Sequence, residues 1–232
     1  RWYMTLDMSE YEAAVAELDA LSLDAGTKDA VDEMQSHLTM LRGQVAEGIS
    51  AAEERWARQG PGDSQTEANR QLERAQHLWY SGQTLEGFEV AVSAEHRSPL
   101  GHQYNWALVM ALKTGRADLI ERVAQATQDL PQLRVADLRS HAMAGALAAL
   151  GGDLNEAEAR FAAAIEIGDD LWGPLYGGVL RVLTVLYLGA DHPQARAWAE
   201  PVRDQWIEAG LDTVLEIHAE EFAALDTVAE TA

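Results

Sequence analysis

Chemistry in this chain would have to come from seven histidines and 38 acidic residues, because it contains no cysteine. His37, His77, His96, His102, His141, His192 and His218 are scattered. None belongs to a His-Glu-x-x-His zinc pattern, a Glu-x-x-His di-iron pattern or a calcium loop. His218 and Glu221 are three residues apart, so one helical face would carry both and they could share a metal ion. They read more simply as a solvated pair on a C-terminal helix. Gly-x-Gly-x-x-Gly and the phosphate-loop lysine are absent, and Gly151-Gly152 and Gly177-Gly178 follow no strand that would make them phosphate cradles. Gly-x-Ser-x-Gly is absent as well, and Ser81-Gly82 falls at a turn. Adjacent acids such as Asp169-Asp170 are common in so acidic a chain and nominate no general acid or base. The expectation is a non-enzymatic chain with no catalytic residue, no metal site and no cofactor.

The charge balance narrows the partners. Against 38 Asp and Glu stand 17 Lys and Arg, a net charge of −21 over 232 residues. Such a field repels phosphate backbones and anionic lipid, so neither nucleic acid nor a membrane surface is an expected partner. The absence of cysteine excludes a disulfide framework and a thiolate nucleophile, and it suits a reducing, cytoplasmic setting. The most apolar stretch, Leu175 to Ala190, contains Arg181 and several glycines and falls short of the ~20 residues a membrane span needs. The N-terminus lacks signal-peptide order and opens Arg1-Trp2-Tyr3, so the chain is expected to be cut from something longer.

The elements that must position any site are helices. Apolar residues recur every three or four positions, as in Tyr11, Ala14, Val15, Leu18 and Leu21, and again in Val31, Met34, Leu38 and Leu41. Asp24 to Thr27 separates these two stripes. Gln59 to Gln65 is the most linker-like segment, and Pro99, Pro131 and Pro174 mark later breaks. The turns repeat. Gly43-Gln44-Val45-Ala46-Glu47-Gly48 is echoed by Gly82-Gln83-Thr84-Leu85-Glu86-Gly87, by Gly115-Arg116-Ala117-Asp118, by Gly152-Asp153-Leu154-Asn155-Glu156-Ala157 and by Ala190-Asp191-His192-Pro193. Counted from Ser9, which fits the same slot, the steps are 34, 39, 33, 37 and 38 residues, each the length of one helical hairpin.

These residues resemble the tetratricopeptide repeat, a helix–turn–helix with small or aromatic residues at set positions. Gly145, Ala148, Gly152, Ala157, Phe161 and Ala164 match one unit. Tyr104, Ala107, Leu108, Ala111 and Gly115 match the unit before, and Val179, Val182, Leu183, Leu186 and Ala195 the unit after. The resemblance implies an all-α, right-handed α-solenoid of about five to six hairpins, in which the first helix of each hairpin lines a concave groove. Transferring the groove slots gives Gln76, Trp79, Tyr80, Asn105, Val109, Lys113, Arg139, Arg181, Thr184 and Tyr187 as partner-binding candidates. Arginine forks there could hold a partner's carboxylate and the aromatics could act as anchors. Trp79, Trp106 and Tyr187 at helical spacing are more often core than ligand contacts, and Arg139 and Arg181 read as surface partners of nearby acids. The carboxylate clamp of chaperone-binding members is not matched, since Asn105 stands where that pattern has lysine.

Residues 1–232 are thus expected to form one helical-repeat domain. Diverged first repeats would cover 1–58, a Gly/Pro loop 59–65, further repeats 66–212 and a capping helix 213–228, with Val214, Ile217, Phe222 and Leu225 inward and Glu216, Glu220 and Glu221 outward. Arg1 to Met8 reads as the end of a helix that starts upstream. The expected function is protein or peptide binding, as the interaction or sensor part of a larger bacterial signalling or transcriptional regulator. The alternative is a sensor whose groove, between Trp79, Trp106 and Tyr187, closes on a small ligand or signal peptide. A third, an enzyme with its site between repeats, would need a buried His or carboxylate constellation that the sequence does not offer, and a fourth is scaffolding with self-association through the N-terminal edge.

Overall fold

The computed structural model describes residues 8–19, 21, 24–93, 102–131, 133–171 and 173–231, and every element among them is helical. In order these are α1 (Met8–Asp19), α2 (Ala25–Leu41), α3 (Val45–Gln59), α4 (Ser64–Tyr80), α5 (Thr84–Ser93), α6 (His102–Thr114), α7 (Ala117–Thr127), α8 (Arg134–Leu150), α9 (Leu154–Leu171), α10 (Gly173–Leu188), α11 (Pro193–Ala209), α12 (Asp212–Ile217) and α13 (Ala219–Thr231). The helix end expected over 1–7, and the break at Pro99, lie outside the described residues. No helix among the described residues is long and apolar enough to cross a membrane.

Local chemistry sets the boundaries. The segment Asp24 to Thr27 is the capped start of α2, where Asp24 Oδ1 accepts from the Thr27 N–H at 3.0 Å. Asp63 and Asp153 do the same for the Thr66 and Glu156 N–H groups, at 2.8 and 3.1 Å. Because Asp63 caps α4 and Arg70 ties back to the Gly60 carbonyl at 2.8 Å, the Gly/Pro loop is shorter than expected. It runs only from 60 to 63. Three of the repeated turns, at Gly43, Gly82 and Gly152, share one hydrogen-bond signature. At Gly82 (φ 76°) and Gly152 (φ 86°) the next residue's N–H reaches five residues back, Gln83 to the Leu78 carbonyl and Asp153 to the Ala148 carbonyl. This left-handed helix ending is inexpensive only without a Cβ. Pro201 departs from the expected pattern, sitting inside α11 on its exposed side.

Consecutive helices pack on one another, α2 with α3, α4 with α5, α6 with α7, α8 with α9 and α10 with α11, and each also meets the next pair. Five residues after the turn glycines stand Gly48, Gly87 and Ala157, all buried. A Cβ at Gly48 would lie 2.6 Å from the Ser36 carbonyl oxygen, and one at Gly87 2.9 Å from that of Ala75. Gly145 is close as well, with an added Cβ 3.2 Å from the Ala157 carbonyl oxygen and from the Phe161 ring. Small residues here let paired helices approach until backbones nearly touch. Phe88, Leu108, Leu119, Ile120 and Phe161 fill the surrounding layer. Each such side chain removed from water contributes roughly 1.5–3 kcal/mol.

The first helices of the pairs form an inner layer that closes on itself. Besides its chain neighbours, α6 touches α10, and α12 reaches both α2 and α4. Thr213 Oγ1 donates to the Met40 carbonyl, and Arg42 Nη1 donates to the Ala209 carbonyl at 3.0 Å. The Tyr187 hydroxyl donates to the Leu112 carbonyl at 2.8 Å. The expected single capping helix is broken at His218, which sits at φ −104° between α12 and α13. The break lets His218 and Glu221 turn inward while Phe222 and Leu225 stay packed.

Candidate functional site

Most of the expected groove residues have become the inside of the molecule. Trp79, Tyr80, Val109, Arg139, Thr184 and Tyr187 are all buried, so none offers a surface to a partner in this fold. Trp79 and Trp106 meet edge to face with centroids 4.9 Å apart, and Tyr187 packs on Phe161 at 5.7 Å. The apolar pocket expected among the three is therefore filled by the rings themselves. Burial pushes the Tyr187 phenol up from its ordinary value. Thr184 Oγ1 bonds the Arg181 carbonyl of its own helix at 2.6 Å.

The expected cationic clamp is spent on internal bonds as well. Lys113 Nζ donates to both Glu221 oxygens at 2.6 and 2.7 Å. Arg181 Nη2 holds both Asp169 oxygens at 2.5 and 2.7 Å. Arg139 Nη1 donates to Asn105 Oδ1 at 2.9 Å, and burial lowers the pKa of its guanidinium. His218 is not solvated either. It is fully buried, 5.7 Å from the Trp206 ring and 6.1 Å from Trp79, with Nδ1 3.6 Å from Glu221 Oε2. Burial lowers its pKa, so the imidazole is neutral. Burial pushes the Glu221 carboxyl up, but the bonds to its neighbours outweigh this and hold it at about 2. A neutral imidazole exerts no Coulomb pull, so near neutral pH Lys113 is the effective partner.

One expected residue, Gln76, borders open space. The inner face leaves a cleft of about 240 Å³ between α2 and α4, with Tyr176 of α10 on its wall. Helical spacing brings its polar lining together. Glu33 and His37 are four apart on α2, and Asn69, Glu73 and His77 are four apart in turn on α4. Glu73 accepts from Arg55 Nη2 on both oxygens, at 2.7 and 2.5 Å, and from Trp56 Nε1 at 2.7 Å. Burial pushes the Glu73 carboxyl up to about 7, with Glu33 adding to the rise and Arg55 opposing it. His37 and His77 are both held down to about 4, mainly by burial, so both are neutral near pH 7. His77 stacks on Trp56 at 5.5 Å, 15° from parallel. Two more open grooves flank the cleft, one lined by Trp56, Arg70 and Arg74 and the other by Asp32, Glu47 and Arg58.

Reading the sequence for known motifs passed over Glu33, His37, Glu73 and His77, yet they leave a trace. Glu33-x-x-x-His37-Leu38 recurs as Glu73-x-x-x-His77-Leu78, nearly one repeat later. Glu33 adds to the rise of the Glu73 carboxyl, and His77 adds to the lowering of His37. Among the described residues no three His, Asp or Glu side chains converge closely enough to hold a metal ion. Compared with known proteins, the chain matches no family model, no curated protein and no solved structure.

Proposed function

We propose that the chain is a helical-repeat binding module, a right-handed solenoid of five to six tetratricopeptide-like hairpins that holds a protein segment or peptide at the α2–α4 cleft. One observation carries this reading. The cations of the inner layer are spent on internal partners, Lys113 on Glu221, Arg139 on Asn105 and Arg181 on Asp169, whereas Glu33, Gln76 and His77 border open space with no side-chain hydrogen bond or ion pair to a described residue. The volume, about 240 Å³, falls below the roughly 300–1,000 Å³ of drug-sized ligand sites and suits one side chain of a longer partner. That favours the peptide over the second reading, a sensor for a free small ligand or signal peptide in the same cleft. By its resemblance, the module would be the partner-receiving part of a larger cytoplasmic bacterial regulator, with no chemistry of its own.

Asn69 lines the cleft but is exposed, so Asn69→Trp obstructs the opening without entering the core. The test is capture from a random peptide display library by the wild-type chain and by this variant, with matched circular dichroism. Peptides enriched by the first and lost by the second support the reading. Enrichment that ignores the obstruction, or no enrichment by either chain, refutes it.

A further inference from the structure

The chemistry of the cleft narrows what it can hold, and this step rests on the binding-module reading above. Its rim carries the Glu33 carboxylate, which makes no hydrogen bond or ion pair with any described residue. Across from it, the two Glu73 oxygens offer about four lone-pair positions, of which Arg55 and Trp56 use three. One acceptor position therefore remains on a carboxylate that is already charge-paired. His77 is an independent sign that something is missing. Its side chain is only 6% exposed and lines the cleft, yet neither ring nitrogen is hydrogen-bonded. Its ring nitrogens are not fully enclosed, so water reaches them in the empty cleft and a donor group can replace that water. Gln76 adds an amide oxygen, and Met34, Leu72 and Tyr176 supply apolar and aromatic wall.

The charged groups packed around the cleft are Glu33 on α2, Arg55 on α3, and Glu73 and Arg74 on α4, with neutral His37 and His77 between them. Arg55 is neutralised by Glu73, and Arg74 borders the groove on the other flank of α4. Glu33 is left as negative charge without a counter-ion. Glu73 rises toward 7 mainly through burial, with Glu33 adding to the rise, and a cation in the cleft would offset that added part as well as pair Glu33. A metal ion does not fit, because no three ligands converge among the described residues. An anion would meet Glu33. A planar organic cation with several N–H donors on an apolar stem meets all of these demands together.

We propose that the α2–α4 cleft binds an alkylguanidinium group, paired by Glu33, accepted by His77 and Gln76, and flanked by Tyr176. An arginine side chain of a partner peptide and a free guanidino compound share this chemistry, and the two arms of the test separate them.

In the first arm the intact chain is titrated with N-acetyl-arginine-N-methylamide, and with the citrulline and lysine analogues, while the His77 ring resonances are followed by NMR. The arginine probe should shift them saturably. Citrulline, nearly isosteric but neutral, should bind at least about tenfold more weakly, because a hydrogen bond to a charged group exceeds a neutral one by about that factor. Glu33→Gln should weaken the arginine probe by a similar factor while leaving the thermal melt nearly unchanged, since Glu33 is exposed and its carboxylate makes no hydrogen bond or ion pair to a described residue. Equal binding of citrulline or lysine, indifference to Glu33→Gln, stoichiometric zinc binding at the same resonances, or no saturable shift would each overturn the proposal. In the second arm, peptides from the display library are tested for arginine and for displacement by the probe. Peptides that bind without arginine and resist the probe sink the guanidinium assignment but leave the peptide module standing. Probe binding with no peptide enrichment keeps the guanidinium site, assigns it to a small molecule, and refutes the peptide reading.

Discussion

Replacing Glu221 with glutamine should cost about 3–5 kcal/mol of folding free energy, the usual penalty for stranding one member of a buried ion pair. The geometry of the pair supports this magnitude. Lys113 Nζ lies 2.6 and 2.7 Å from the carboxylate oxygens, and the two side chains are only 15% and 5% exposed, so solvent cannot take over the lost partner. The carboxyl is held at about 2 against burial by His218 as well as Lys113, so its whole shift is an upper bound on what Lys113 supplies. A depressed carboxyl pKa stabilises the fold above about pH 4.5 and loses that contribution as the pH falls toward 2. The Glu221→Gln penalty should therefore shrink in acid. Lys113→Met should cost a similar amount at pH 7. The double variant Lys113→Met/Glu221→Leu should return to within about 1 kcal/mol of wild type, because two packed apolar groups leave no stranded charge. Urea unfolding followed by circular dichroism, analysed as a double-mutant cycle, measures all of this. A Glu221→Gln cost below about 1 kcal/mol, the range of exposed pairs, would mean that α13 is not seated against α6 as described.

Acid should weaken the fold as soon as the histidines of the unfolded chain begin to titrate. His37 and His77 are held down to about 4 and His218 is lowered too, so below pH 6.5 the unfolded chain binds protons that the native chain refuses. Stability should fall between pH 6.5 and 4, by up to about 3 kcal/mol for His77, partly offset by Glu73, whose raised value works in the opposite sense. A flat stability profile across that window, measured by urea titration, would contradict the burial of these rings. Gly87→Ala should destabilise by about 1–3 kcal/mol, because the added Cβ lies 2.9 Å from the Ala75 carbonyl oxygen, an overpacked contact. Gly82→Ala has open space and should cost only the roughly 1–2 kcal/mol of a left-handed residue; thermal melts of the two variants decide the ordering. Thr213→Val should remove the bond to the Met40 carbonyl and cost about 1–3 kcal/mol. Hydrogen exchange should then speed up in α12 and leave α8 and α9 unaffected.

Much of the helical plan was legible along the chain, because its causes are local. Asp24, Asp63 and Asp153 cap through bonds three residues long, and Gly82 and Gly152 end helices through bonds five residues long. The close approach of Gly145 to Ala157 and Phe161 was readable too, since a recurring small residue has few other uses in a helical hairpin. Which face of the first helices stays open is a different kind of question. Trp79, Arg139, Thr184 and Tyr187 occupy slots that would line a groove in an extended array, but here the array closes and they become core. The closure depends on Lys113 meeting Glu221, 108 residues away, and on Thr213 meeting the Met40 carbonyl, 173 residues away.

The cleft divides between the two sources in the same way. The repeated Glu-x-x-x-His of α2 and α4 was present in the sequence from the start, and helical spacing alone puts each pair on one face. Nothing local says that the two faces meet, that Arg55 and Trp56 would claim most of Glu73, or that Glu33 would be left without a partner. The sequence by itself determined where helices start, stop and press closest together, because those outcomes depend on neighbours a few bonds away. Only the tertiary structure decided which polar groups are satisfied and which remain open, because that depends on how the helices close around one another.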